Sequence, residues 1–454
     1  MRLFCPALAL FFLAAASAQE GRFGRISAAS LQEFVSYLAS DALEGRATPS
    51  PGLERAADFI GQRFRQAGLS PAPGTGGTYF QSARFVEVTP GTGDPEIILR
   101  GAEGDLVAGP GVATVRARAA LRLPMAPVVL LGELPSGGLE GRIVAAPAGR
   151  FPDPESLDAL QALRPAAILL FTGRPPEPPA PYLEDADAPR APVIRISSDA
   201  ALDAVENGQP LSASVRAPAP VLRDLVLRNV AGFLRGSSEE AVLVTAHYDH
   251  LGRGPGGGVF PGANDNASGV ASLAEIASAL ASLPEPPRRG VLFVAFFGEE
   301  AGLLGARYYV RHPLIPLSGT VADINLEQLG STLDSDGDRT GSFAFTGPSY
   351  SNLPSLMAGA AAQEHVVVYR KRDGDSYFDR SDNYAFARAG VVAHTLIVAF
   401  EFPGYHQAAD RAAALNFGNM ASVDRGLAAG ILAVANGAGK PKWSEAGRGA
   451  SGVH

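Results

Sequence analysis

The stretch VLVTAHYDHLGRGPGGGVFPGANDNASGVASL, Val242–Leu273, runs from an unbroken apolar segment through a glycine-rich loop into a small-residue helix pattern. An apolar run without alternation is the mark of a strand covered on both faces, and a helical pattern after it is the unit of a parallel α/β sheet. Three further runs share that character: RRGVLFVAFFGEE (288–300), GTVADINLEQLG (319–330) and AGVVAHTLIVAF (389–400). The expected fold is therefore α/β, a mainly parallel mixed sheet sandwiched by helices. Upstream, SLQEFVSYLASDAL (30–43) and GLERAADFIGQRFRQAGL (52–69) carry apolar residues at helical spacing and predict two helices. Between them and Val221 the chain turns to short apolar strands punctuated by Pro and Gly, such as APVVLLGEL and PAAILLFTG. The reading is an α/β core in two segments, 19–87 and 221–436, an inserted β-rich domain over 88–220, and a flexible polar tail over 437–454.

Composition narrows the function. The chain has 454 residues, 46% hydrophobic and 19% charged, with a formal net charge of -8. That length buries a sizeable core, and no basic face is available for a phosphate backbone, so nucleic acid is not an expected partner. The first 18 residues combine Arg2, an apolar run over 3–16 and an Ala16-Ser17-Ala18 ending. This is the layout of a secretory leader, too short to span a bilayer. It predicts export to a periplasmic or extracellular space with cleavage after Ala18, leaving Gln19 as the mature N-terminus and no stable membrane insertion. The single cysteine, Cys5, lies inside the leader, so the chemistry must come from other side chains.

The histidines and carboxylates supply it. His247 follows AVLVTA and His406 follows TLIVAFEFPGY, both at the ends of apolar strands, where open α/β sheets place their ligands. Glu299 and Glu300 end another buried run side by side. Two adjacent carboxylates in such a place require a counter-cation. Imidazole and carboxylate together suit Zn²⁺. Asp265, beyond the glycine loop, can offer one oxygen to each of two ions, and the loop lets His247 and Asp265 reach the same metal. Two ions sharing a water would lower its pKa and polarise a carbonyl.

His247-Tyr248-Asp249 taken with GANDNASG, GEEAGLLG, INLEQLG and YHQAAD resembles the M28 family of co-catalytic zinc peptidases, exported aminopeptidases among them; the ordered set is highly specific and the similarity covers most of residues 27–435. The middle section resembles the protease-associated domain inserted in many such enzymes. The resemblance implies two zinc ions per chain, one held by His247, Asp265 and Glu327 and the other by Asp265, Glu300 and His406. It implies Glu299 as general base, Asp249 as the partner orienting His247, Tyr405 as an oxyanion donor, and peptides as substrates. Two positions depart from the family pattern: Glu327 stands in NLEQL where an aspartate is usual, and Asn383 stands where relatives carry a histidine. The same scaffold serves carboxypeptidases and glutaminyl cyclases, and a non-catalytic binding module is a third class, against which the complete ligand set argues.

Other patterns have plainer readings. His394 sits in an apolar run and reads as a core histidine, whereas His250 is open between the pocket and a purely structural contact. The G-x-G-x-x-G match over 252–257 is interrupted by Pro255 and Pro261, which removes the helix start that a pyrophosphate needs. Asp334–Asp338 lacks the glycine and the final glutamate of an EF-hand loop and reads as a solvated turn. Neither HExxH nor G-x-S-x-G is present, which disfavours a single-zinc thermolysin type and a serine hydrolase.

Overall fold

The computed structural model describes residues 22–452 apart from 103, 109–112, 152–153, 174–179, 188–189 and 255. The leader and its cleavage site lie outside the described residues. The chain divides into two compact units, one built from the residues up to Gln81 together with those from Asn229 onward, the other from Ser82–Arg228. The cuts fall within two long strands, Phe80–Thr89 and Val221–Leu234.

In the first unit four strands run parallel side by side. Ala241–His247 lies in the middle, with Gly290–Phe296 on one flank and Thr320–Glu327 on the other, and Ala393–Ile397 follows Thr320–Glu327. Ser342–Phe345 and the distal half of Val221–Leu234 add antiparallel strands outside this core. Every residue of Ala241–His247 and Gly290–Phe296 is buried, as a sheet covered on both faces requires. On one face Leu243, Leu292, Val294 and Phe296 pack with Ala306 and Tyr309 of the helix Leu304–Arg311 and with Phe386. The helix Gly269–Ala281 packs on the sheet and against the helices Ala28–Leu38 and Phe417–Ala435. The two upstream helices form where their apolar spacing places them, over Ala28–Leu38 and Pro51–Gln66, each with a serine N-cap, Ser27 and Ser50.

Parallel register aligns the strand ends. His247 pairs with Phe296, and Glu327 pairs with Ile397. His247, Glu327, the Glu299–Glu300 pair and the segment leading to His406 therefore all leave the sheet at its carboxyl edge, which is where such sheets bind ligands.

The Ser82–Arg228 unit has its own eight-stranded sheet, in the order 104–108, 96–101, 212–217, 121–130, 143–147, 167–172, 193–197, 113–116. It has its own core as well, around Ile97, Leu99, Leu169, Phe171, Ile194 and Val215.

After Gly437 the expected loose tail takes a different form. Ser444 caps a short helix, Glu445–Ser451, and Trp443 packs on the rings of Phe378 and His394. The segment is polar and short, and Trp443 together with hydrogen bonds from Lys442 and Ser444 to residues 349–352 holds it down.

Candidate metal centre

His247 is fully buried at its strand end. Its Nε2 lies 3.3 Å from Asp265 Oδ1 and 3.5 Å from Glu327 Oε1. On the far side of Asp265, Oδ2 lies 3.2 Å from His406 Nε2, which is itself 3.4 Å from Glu300 Oε1. A tetrahedral ion bound at about 2.0–2.1 Å holds its ligand atoms about 3.3 Å apart, so these four distances match the edges of two tetrahedra that share the Asp265 carboxylate. Both ring nitrogens of His247, Asp265 Oδ1 and Glu300 Oε1 are buried without a well-formed hydrogen bond. Polar atoms are not left orphaned in this number without a missing partner, and the donor set is the mixed nitrogen and oxygen one that zinc accepts.

Desolvation alone would keep buried His247 neutral; Glu299, Asp249, Asp265 and Glu327 instead push its pKa up. Burial pushes Asp265 up, but His247 and His406 outweigh it and hold the carboxyl well below the usual range. Contacts with Asp265 and Glu300 raise His406 to about 10. The acidic neighbours thus favour positive charge at this place. Burial raises Glu299, His247 opposes it, and Glu327, Asp382 and Glu300 add to it.

The loop carrying Asp265 is held from two sides. Gly262 turns the chain at φ 59°, where an added Cβ would lie 2.3 Å from Asp265 O and 2.5 Å from the His250 ring, so the turn admits no side chain. Asp410 accepts the backbone N–H groups of Asn264 at 2.7 Å and Asp265 at 3.0 Å. Asp410 sits in YHQAAD, four residues after His406, and its chain position alone carries no sign of that task.

Asp249 accepts from the Glu299 backbone N–H at 3.0 Å and from the Thr48 hydroxyl at 3.1 Å. Its Oδ1 is 3.7 Å from His247 Nδ1, longer than a hydrogen bond. Tyr405 stacks on His406, with centroids 3.9 Å apart and planes at 20°. Burial and then the carboxylates Asp265, Glu327, Glu300 and Glu299 raise its phenol, so it stays a proton donor. His250 Nδ1 lies 2.8 Å from Glu300 Oε1, and His250, Asp265 and Glu300 also lie close enough together to share an ion.

Three remaining positions belong to the core. Asp323 is fully buried, accepts from the Thr245 hydroxyl at 2.9 Å, and burial pushes it up to about 8. Asn383 accepts from the Thr395 hydroxyl at 2.7 Å and donates to Phe378 O at 2.9 Å, so both ends of its amide are used inside the fold. His394 lies 2.7 Å from both Thr346 O and the Ser351 hydroxyl, and burial lowers it to about 4, which keeps it neutral.

Residues 229–431 match the sequence profile of peptidase family M28. That segment, a little under half of the chain, carries the family's sequence pattern. A probable lipoprotein aminopeptidase, LpqL, of Mycobacterium tuberculosis is 30% identical over 297 residues, 57% of this chain and 56% of that protein. A probable zinc metalloprotease of Pyrenophora teres f. teres is 36% identical over 115 residues, 24% of each chain. The chain thus matches about half or less of the length of these curated relatives. An aminopeptidase structure from Aneurinibacillus sp. strain AM-1 aligns with a TM-score of 0.52 and 19% identity, covering 91% of this chain and 94% of that one. The two chains share a fold. Among the described residues, no helix is long and apolar enough to cross a membrane.

Proposed function

We propose that this protein is an exported M28 aminopeptidase that binds two zinc ions and removes the N-terminal residue of peptides. The observation that carries the reading is the Asp265 carboxylate, with Oδ1 turned to His247 and Oδ2 to His406 at distances of 3.3 and 3.2 Å. His247, Asp265 and Glu327 would hold one ion, and Asp265, Glu300 and His406 the other. Ions bound there would lower the pKa of the attacking water and polarise the scissile carbonyl. Glu299, at the end of the strand beside His247, takes the proton from that water and returns it to the leaving amine. Asp249, with Oδ1 3.7 Å from His247 Nδ1, would close on that nitrogen and bias the ring to present Nε2 to the cluster. The Tyr405 hydroxyl donates to the developing oxyanion. The Ser82–Arg228 unit is read as a protease-associated-like insert.

The reading is tested by a panel of aminoacyl, carboxy-terminal and N-terminal glutaminyl substrates with metal analysis of the same preparation. Aminoacyl substrates should turn over, a strong chelator should abolish the activity, and Zn²⁺ should restore it. Activity indifferent to the chelator, or confined to either of the other substrate groups, would count against it.

Glu327 departs from the family's aspartate, yet its Oε1 lies 3.5 Å from His247 Nε2, the same spacing as the rest of the set. Glu327→Ala would leave its ion only His247 and Asp265, fewer than the three protein ligands a catalytic zinc keeps. Bound zinc should fall from about two per chain towards about one, with the fold retained, and Glu327→Asp should be milder. If the alanine variant keeps both ions and mainly raises KM for free-amine substrates, Glu327 binds the substrate amine instead.

A further inference from the structure

Arg46 is fully buried, and its acceptors are four backbone carbonyls: Tyr248 O at 2.8 Å from Nε, Pro261 O at 2.8 Å and Leu38 O from Nη1, and Gly262 O at 2.9 Å from Nη2. Tyr248 directly follows His247, and Pro261 and Gly262 lead into Asp265. One guanidinium therefore ties the outgoing limb of the glycine loop to its returning limb. The backbone around Arg46 reinforces the contact. Its own carbonyl accepts from His250 N at 3.3 Å, and two residues on, Thr48 holds Asp249. Glu44, Gly45 and Arg46 sit at φ 52°, 70° and 51°, and a Cβ on Gly45 would lie 2.4 Å from Phe260 O and 2.5 Å from Gly252 O. Of the three, Glu44 and Arg46 are not glycine, and positive φ is costly for such residues and is maintained where the surroundings enforce it.

We infer that Arg46 is a positioning residue of the metal centre: its planar fork fixes the two limbs of the 248–262 loop and so sets the separation of His247 and Asp265. The fork matters here rather than the charge. A cation beside the cluster opposes the binding of a second cation, so charge alone would weaken zinc binding. Five donors in one rigid plane can meet four carbonyls from three chain segments, and the three donors of a lysine cannot.

This inference rests on the metal reading above, and the test separates the two. Wild type and Arg46→Lys are compared for zinc affinity in a metal buffer and for Tm with and without zinc. Arg46→Lys should bind zinc about 10- to 100-fold more weakly, the range for partners that hold ligands in place. Its zinc-dependent rise in Tm should shrink accordingly, by more than its metal-free Tm falls. Equal Tm losses with and without zinc, at unchanged affinity, would make Arg46 an ordinary core residue and overturn the inference. If Arg46→Lys does not fold, Arg46→Gln is judged by the same criterion, and failure of both to fold overturns the inference too. A wild type that binds no zinc would instead defeat the metal reading itself.

Discussion

Glu299→Gln is expected to lower kcat by about 10²–10⁴-fold, the usual contribution of a positioned general base, with zinc content unchanged. The substitution keeps the length and shape of the side chain and removes only its basicity. The backbone N–H of Glu299 still donates to Asp249, since that bond does not involve the side chain. Glu299 is not among the proposed ligands His247, Asp265, Glu327, His406 and Glu300, whose paired atoms lie 3.2 to 3.5 Å apart. A fall in both kcat and kcat/KM at full zinc occupancy is the signature of a group acting in the transition state. Wild-type turnover in this variant would remove Glu299 from the mechanism, and loss of metal would make it a ligand.

Asp265→Ala should have the largest effect on metal. Each of its two oxygens faces a different histidine, so one truncation takes a ligand from both ions at once. Each site is then left with two protein ligands, below the number a catalytic zinc keeps. The loop itself should survive, because Asp410 binds the backbone N–H groups of Asn264 and Asp265 rather than the side chain.

How much of this was legible in the sequence follows the range of the interactions. The parallel sheet could be read from four uninterrupted apolar runs because burial on both faces leaves a local signature. The sequence singles out His247, Asp265, Glu299, Glu300 and His406 because strand ends are predictable and carboxylates there require a reason. The residues that hold them could not be read this way. Arg46 reaches Tyr248 across 202 residues of sequence, and Asp410 reaches Asn264 across 146. Both bond to main-chain groups, which impose no residue type on their partners. The glycine loop shows the same division. Its composition announces a sharp turn, while the clamp joining its limbs lies in the N-terminal segment. His250 needed the structure as well, since only there does its ring come within 2.8 Å of Glu300 and join it and Asp265 in one cluster. Asn383 spends both ends of its amide on hydrogen bonds inside the fold, a use that its place in the sequence does not announce.

The measurement that tests the shared carboxylate most directly is zinc per folded chain in wild type, His247→Ala, His406→Ala and Asp265→Ala, purified and equilibrated together. Wild type should hold about two zinc ions, each histidine variant about one, and Asp265→Ala close to none, as ligand counting at co-catalytic sites requires. An Asp265→Ala protein that keeps one zinc would show that the carboxylate serves a single ion and would contradict the account.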